Sequence, residues 1–213
     1  MTVNLGDSAS IVHHYLTALR DVDLQKDRLR FTSSVERLGE IMAFEISKRL
    51  DYDTIMVKTP LGQKQHFKLK QQPVLVTILR AGLPYFQGFQ RVFDHADCGF
   101  MGAYRQEGTE IKIKVDYVAS PPLEGKDLIV IDPMLATGKS LVDAVTLLKK
   151  KGTFKKLFLA ALIAAPEGIA YLEKELGKDI PIYVFSIDEY LNEHAYIVPG
   201  LGDAGDLSFG EKL

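Results

Sequence analysis

Residues 127–151 read "DLIVIDPMLATGKSLVDAVTLLKKK". The first part, "DLIVID" (127–132), is a short unbroken apolar run that closes on an acid, the pattern of a strand buried on both faces. A short loop follows, and the apolar spacing over 139–151 predicts a helix. The same strand-then-helix alternation extends in both directions. Upstream, "PVLVTIL" (73–79) predicts another buried strand, followed by a helix over 84–94. "CGFMGAY" (98–104) and "IKIKVDYV" (111–118) predict two more strands, the second alternating so that one face meets water. Downstream come a strand at "KLFLAALIAA" (156–165), a helix over 167–177 and a strand at "IPIYVFSI" (180–187). Strands alternating with helices predict an α/β fold, a mainly parallel twisted sheet flanked by helices. Ligands of such sheets bind in the crevice outside the carboxyl ends of the strands. Three polar residues leave apolar runs there: Arg80, Arg105 and Asp132.

The rest of the chain adds to one domain spanning 1–213, with N-terminal helices over 8–50. Residues 8–20 predict a short helix capped by Ser8 or Ser10, with Ile11, Tyr15 and Leu19 on its apolar side. In the second helix, 27–50, Val35, Leu38, Met42, Ile46 and Leu50 recur at spacings of three and four, as one buried face requires. The turn signal "TPLG" inside 53–69 predicts a β-hairpin arm. "GLGDAGDLSFG" (200–210), rich in Gly and Asp, reads as a loop.

Composition narrows the function classes. Hydrophobic residues make up 46%, charged residues 25% and the net charge is −2, ordinary for a soluble globular protein. No broad positive field is available to attract nucleic acid. Cys98 is the one cysteine, so an intrachain disulfide is excluded, as suits a reducing compartment. "MTVNLGDSAS" lacks a secretory pattern, and the most apolar run, "LFLAALIAA", falls short of the roughly 20 residues a bilayer requires. The expectation is a cytoplasmic protein without membrane partners.

The ending "ATGKS" looks like a nucleoside-triphosphate P-loop, but that motif needs glycine at 133. Pro133 stands there, with a fixed φ and no N–H. Phosphate binding survives the objection. A helix beginning near Gly138–Ser140 presents free N–H groups and the positive end of its dipole, and Thr137 and Ser140 add hydroxyls. An acid beside such a cradle, here Asp132, suits Mg²⁺ or sugar hydroxyls. A plain helix cap after a strand is the competing reading.

"VIDPMLATGKS" resembles the phosphoribosyl-diphosphate loop of phosphoribosyltransferases, and more narrowly the "DPMLATGGS" form of the uracil phosphoribosyltransferases. "ILRAGL" (78–83), "YRQE" (104–107), "AAPEGI" (164–169) and "SIDEYLNEHAYIVPGLGDAGD" (186–206) match that family in order. The resemblance runs from about residue 28 onward. Lys139 and Ala195 stand where the family commonly has Gly. It implies a type I phosphoribosyltransferase fold and the reaction of uracil with 5-phospho-α-D-ribose 1-diphosphate, giving UMP and diphosphate. The ribose phosphate would lie on Asp132, Pro133, Met134, Leu135, Ala136, Thr137, Gly138, Lys139 and Ser140. Arg80 and Arg105 would grip the diphosphate, with Asp203 also in contact. In the 196–206 block Ile197 would pack near uracil, and the backbone of Gly202, Asp203 and Ala204 would read its edge. The acid pair of many superfamily members is here Asp132 followed by Pro133. Mg²⁺ would therefore rest mainly on substrate and water, with no direct protein ligand. Some members respond to GTP, and the arm implies a homodimer or larger assembly. An RNA-binding pyrimidine-operon regulator of the same fold and a transferase for another base are the alternatives.

Overall fold

The computed structural model describes residues 1–106 and 112–211, by backbone alone over 103–106 and 112–116. Its centre is a seven-stranded sheet. In chain order the elements are β1 (Thr2–Asn4), α1 (Ile11–Arg20), α2 (Arg28–Ser47), β2 (Tyr52–Thr59), β3 (Gly62–Leu69), β4 (Val74–Leu79), α3 (Gly82–Val92), β5 (Asp97–Gln106), β6 (Lys112–Ala119) and β7 (Asp127–Ile131). They continue with β8 (Met134–Leu135), α4 (Lys139–Lys151), β9 (Lys156–Ala160), β10 (Ile163–Ala164), α5 (Pro166–Leu176), β11 (Ile182–Val184), β12 (Ser186–Ile187), β13 (Tyr190–Leu191), β14 (Ile197–Val198) and α6 (Ala204–Phe209). A 3₁₀ turn, Leu24–Lys26, joins the first two helices.

The sheet order is β1-β11-β9-β7-β4-β5-β6, parallel except for the antiparallel β5–β6 pair. The chain runs outward from β4 to β6, returns to β7 and runs outward the other way. Right-handed crossovers in opposite directions put their helices on opposite faces. The cores show it. Leu75, Ile129 and Ile131 share one apolar cluster with α1, α2 and α3, and their strand neighbours Val74, Val76, Leu128 and Val130 share the other with α4 and α5. An unbroken apolar run thus serves both faces through the two-residue period of a strand.

On the first face α2 and α3 approach backbone to backbone at Gly39 and Gly88. A Cβ on Gly88 would run into the Glu36 carbonyl and come within 2.7 Å of the Glu40 nitrogen, atoms that cannot rotate away. Gly88→Ala is therefore expected to cost about 2 kcal/mol or more, at the overpacking scale. A denaturant midpoint unchanged from wild type would contradict this contact.

Several expectations meet the structure differently. The stripe on α2 is buried as predicted, with Val35, Leu38, Met42 and Ile46 at 1% exposure or less. On α1, capped by Ser10, the buried positions are Val12, Leu16, Ala18 and Leu19, whereas Ile11 is 58% exposed. Both stripes contain Leu19 and satisfy helical spacing, and docking onto the sheet selects one. The strands read as 156–165 and 180–187 are each interrupted. Their ends, β10 and β12, join β8 in a separate three-stranded parallel sheet with β10 in the middle. No Pro or Gly marks the breaks, so the apolar run conceals them. The three-residue β1 was missed, and residues 204–209, read as loop, form α6. The arm is as predicted: β2 and β3 pair antiparallel from Tyr52–Leu69 to Thr59–Gly62. No helix among the described residues is long and apolar enough to cross a membrane.

Candidate active site

The sheet's topological switch point lies between β4 and β7, so a crevice opens at their carboxyl ends. Arg80 directly follows β4 and Asp132 directly follows β7. The end of β5, beside β4, brings in the Arg105 backbone opposite Ile113, while its side chain lies outside the described residues. Two of the three predicted polar residues thus flank one crevice, and the third leaves the adjacent strand.

The loop after β7 is held from several sides. The Asp132 N–H donates to the Ala160 carbonyl at 3.1 Å, and Asp132 Oδ1 accepts from the Met134 N–H at 3.1 Å. The Pro133 carbonyl accepts from the Leu162 N–H at 2.9 Å, and the β8–β10 pairing fixes Met134 and Leu135. Gly138 sits in left-handed backbone at φ 76°, and a Cβ there would lie 2.8 Å from the Gly168 carbonyl oxygen. Conversely, a Cβ on Gly168, in the first turn of α5, would run into the Ala136 carbonyl. The loop is therefore moulded against α5, and α4 begins at Lys139 with its first-turn N–H groups directed into the crevice end. The Lys139 side chain is exposed, with favourable electrostatics toward Asp143 four residues on.

Asp132 is half-buried, and burial pushes its carboxyl up to about 6, only partly offset by the Met134 N–H. Its Oδ1 accepts from the Met134 N–H, which leaves Oδ2 as a further acceptor. No group of three or more His, Cys, Asp or Glu residues suited to a metal occurs among the described residues.

The C-terminal block joins the same crevice. Asp203 Oδ1 caps α6 by accepting from the Gly205 and Asp206 N–H groups at 2.8 and 3.0 Å. Gly210 at φ 89° ends the helix. This capping is why a Gly- and Asp-rich stretch folds as a helix. A Cβ on Gly205 would lie 3.7 Å from the Ala81 side chain, so α6 begins against the loop after β4. Arg80 Nη2 donates to Asp206 Oδ1 at 2.9 Å and to the Gly210 carbonyl at 3.2 Å, while its Nε is buried without a partner among the described residues. Arg80 thus ties the end of β4 to α6. Asp206 was not singled out from sequence; its place in the first turn after a capping Asp was the available signal. Ile197 and Ala204 are buried, at 4% and 3% exposure, and Gly202 takes φ 92°. Ala195 also adopts positive φ, 59°, where a glycine would be relaxed; the strain is worth about 1 kcal/mol.

The family model described as uracil phosphoribosyltransferase matches residues 7–211. The chain belongs to the uracil phosphoribosyltransferase family. A uracil phosphoribosyltransferase of Porphyromonas gingivalis is 43% identical over 213 residues, covering 99% of both chains. Among solved structures, a protein from Aquifex aeolicus superposes with a TM-score of 0.88 at 32% identity over the full length of both chains. A purine phosphoribosyltransferase from Pyrococcus horikoshii covers 73% of this chain and 83% of its own, with a TM-score of 0.50 at 16% identity, which shows the shared type I phosphoribosyltransferase fold.

Proposed function

We propose that the protein transfers the phosphoribosyl group of 5-phospho-α-D-ribose 1-diphosphate to uracil. A uracil ring nitrogen bonds to the anomeric carbon, the bond to diphosphate breaks, and the proton from nitrogen is lost. The observation that carries this reading is the convergence of two built segments on one switch point: the cradle at 132–140 follows β7, and the Asp203-capped block is tied by Arg80 and Asp206 to the end of the neighbouring β4.

The N-terminus of α4 suits the 5-phosphate, and Asp132 Oδ2 suits the ribose hydroxyls. Ile197 would offer the base an apolar contact, and the Gly202–Ala204 backbone a fixed set of donors and acceptors. Arg80, Arg105 and Asp203 complete the assignment around the diphosphate. Departure of diphosphate from an oxocarbenium-like centre calls for positioning and charge stabilisation more than for a nucleophile. Mg²⁺ bound to substrate oxygens and water would neutralise the leaving group. With Oδ1 on the Met134 N–H and Oδ2 assigned to the ribose, Asp132 would reach such an ion only through water.

The purified protein, with Mg²⁺, is expected to form UMP from uracil and to reject cytosine, orotate and hypoxanthine. Turnover of orotate or a purine at the uracil rate would sink the base assignment, and adding GTP to the same assay tests an effector. The arm leaves Met56 62%, Leu61 100% and Phe67 75% exposed. A two-stranded ribbon is marginal alone, so a second copy of the chain is the proposed cover, giving a homodimer or a larger assembly. The single domain and a cytoplasmic site of action belong to the same reading.

A further inference from the structure

Helix α1 lies outside the crevice, yet it ends on the base-reading block. Arg20, its last residue, forms a two-pronged ion pair with Asp188: Nη1 to Oδ2 at 2.8 Å and Nη2 to Oδ1 at 2.6 Å. The Asp188 side chain is 3% exposed and that of Arg20 is 24% exposed. Asp188 Oδ2 also accepts from the Gly200 N–H at 2.9 Å, and Oδ1 accepts from the Ser186 hydroxyl at 2.8 Å. Arg20 Nη1 in turn donates to the Gly200 carbonyl at 3.0 Å. Both backbone groups of Gly200 are thereby held by one ion pair. Gln25, with its amide nitrogen turned toward the carbonyls around it, donates to Leu19 O at 3.1 Å and Leu201 O at 2.9 Å. Burial alone would raise the Asp188 carboxyl, but the bonds from Arg20 and Ser186 hold it below the usual range.

We propose that Arg20, Asp188 and Gln25 are positioning residues that rigidify the backbone at Gly200–Leu201, and so present Gly202–Ala204 to the base in one conformation. The inference rests on the base-site reading above. Gly200 and Gly202 both take positive φ, 61° and 92°, so the segment is built of the residues with most conformational freedom to lose. A backbone can select one base edge only if its N–H and C=O directions are fixed beforehand. The ion pair supplies that from outside the binding surface, across 168 positions of sequence. An aspartate at 188 and an arginine at 20 match each other's geometry, two parallel bonds that lysine cannot reproduce.

The test is steady-state kinetics of Asp188→Asn, Arg20→Lys and Gln25→Ala, with Ile197→Ala as a direct probe of the base site. Asp188→Asn is expected to raise KM for uracil about tenfold while KM for phosphoribosyl diphosphate stays within about twofold, the scale of one lost charged hydrogen bond. Arg20→Lys and Gln25→Ala should give smaller rises in the same direction, and they keep the test available should Asp188→Asn fail to fold. Mere loss of folded protein would lower apparent kcat and move neither KM. Unchanged uracil KM in all the folded clamp variants, or equal rises for both substrates, overturns the positioning role. If Ile197→Ala raises uracil KM while the clamp variants do not, the base-site reading stands and this inference fails. If Ile197→Ala also leaves it unchanged, the base-site reading itself fails.

Discussion

Asp132→Asn is expected to lower kcat/KM for phosphoribosyl diphosphate by about 100-fold while leaving the protein folded and more stable at pH 7. Two hydrogen bonds from ribose hydroxyls to an ionised carboxylate are worth about 1.5 kcal/mol each at the low end, and about 3 kcal/mol is a factor of about 100. The asparagine keeps an oxygen for the Met134 N–H, so the loop geometry is retained. The stability gain follows from burial. With its carboxyl at about 6 in the fold against 3.8 in the unfolded chain, Asp132 favours the folded state most below pH 4, in its protonated form. That contribution is lost as pH rises through about 6, because the folded state must then hold a desolvated charge. Activity has the opposite sign, since the ionised form is the acceptor. In wild type the acid limb of kcat/KM is expected near pH 6, and Asp132→Asn should lack that component. A phosphate monoester itself ionises near 6. The decisive comparison is therefore between the two profiles. Identical acid limbs, or a mutant with wild-type turnover, would remove Asp132 from its role.

Gly168→Ala is expected to raise KM for phosphoribosyl diphosphate at least tenfold with little change in KM for uracil. Gly168 belongs to α5 and is not among the residues assigned to substrate. Yet a Cβ there would run into the Ala136 carbonyl and sit 3.0 Å from the Leu135 carbonyl, both backbone atoms of the phosphate loop. The loop must shift, and misplacement by about 1 Å can cost about 100-fold in rate. A stability loss of about 1–3 kcal/mol is expected alongside. Kinetics that change neither KM would show that the loop tolerates displacement and that α5 does not shape it.

How far sequence reached depends on the range of the physics involved. The unit at 127–151 was legible because its signals are local: an apolar run, an acid, a proline, then a helical period. The helix over 139–151 has the predicted bounds. Placement of Arg80 and Asp132 directly after β4 and β7 followed from the strand ends. The stripe on α2 was legible for the same reason, with Val35, Leu38, Met42 and Ile46 on one face, while Leu50 is buried just past the helix end at Ser47. The α1 stripe was ambiguous because two overlapping sets satisfy the same period, and only docking distinguishes them. The breaks after β9 and β11 left no mark, since an apolar residue serves equally in either sheet. Arg80 with Asp206 and Arg20 with Asp188 are contacts between distant segments, which no local pattern encodes. The first joins the end of β4 to the C-terminal block, and the second joins α1 to that block.

The most direct test of that two-sided crevice is a crystal structure of the protein with UMP bound. The phosphate is expected against the first turn of α4, among Thr137, Gly138 and Ser140, the ribose hydroxyls at Asp132, and the uracil edge on the backbone of Gly202–Ala204. UMP bound away from the carboxyl ends of β4 and β7, or with its base remote from residues 197–204, would contradict the account.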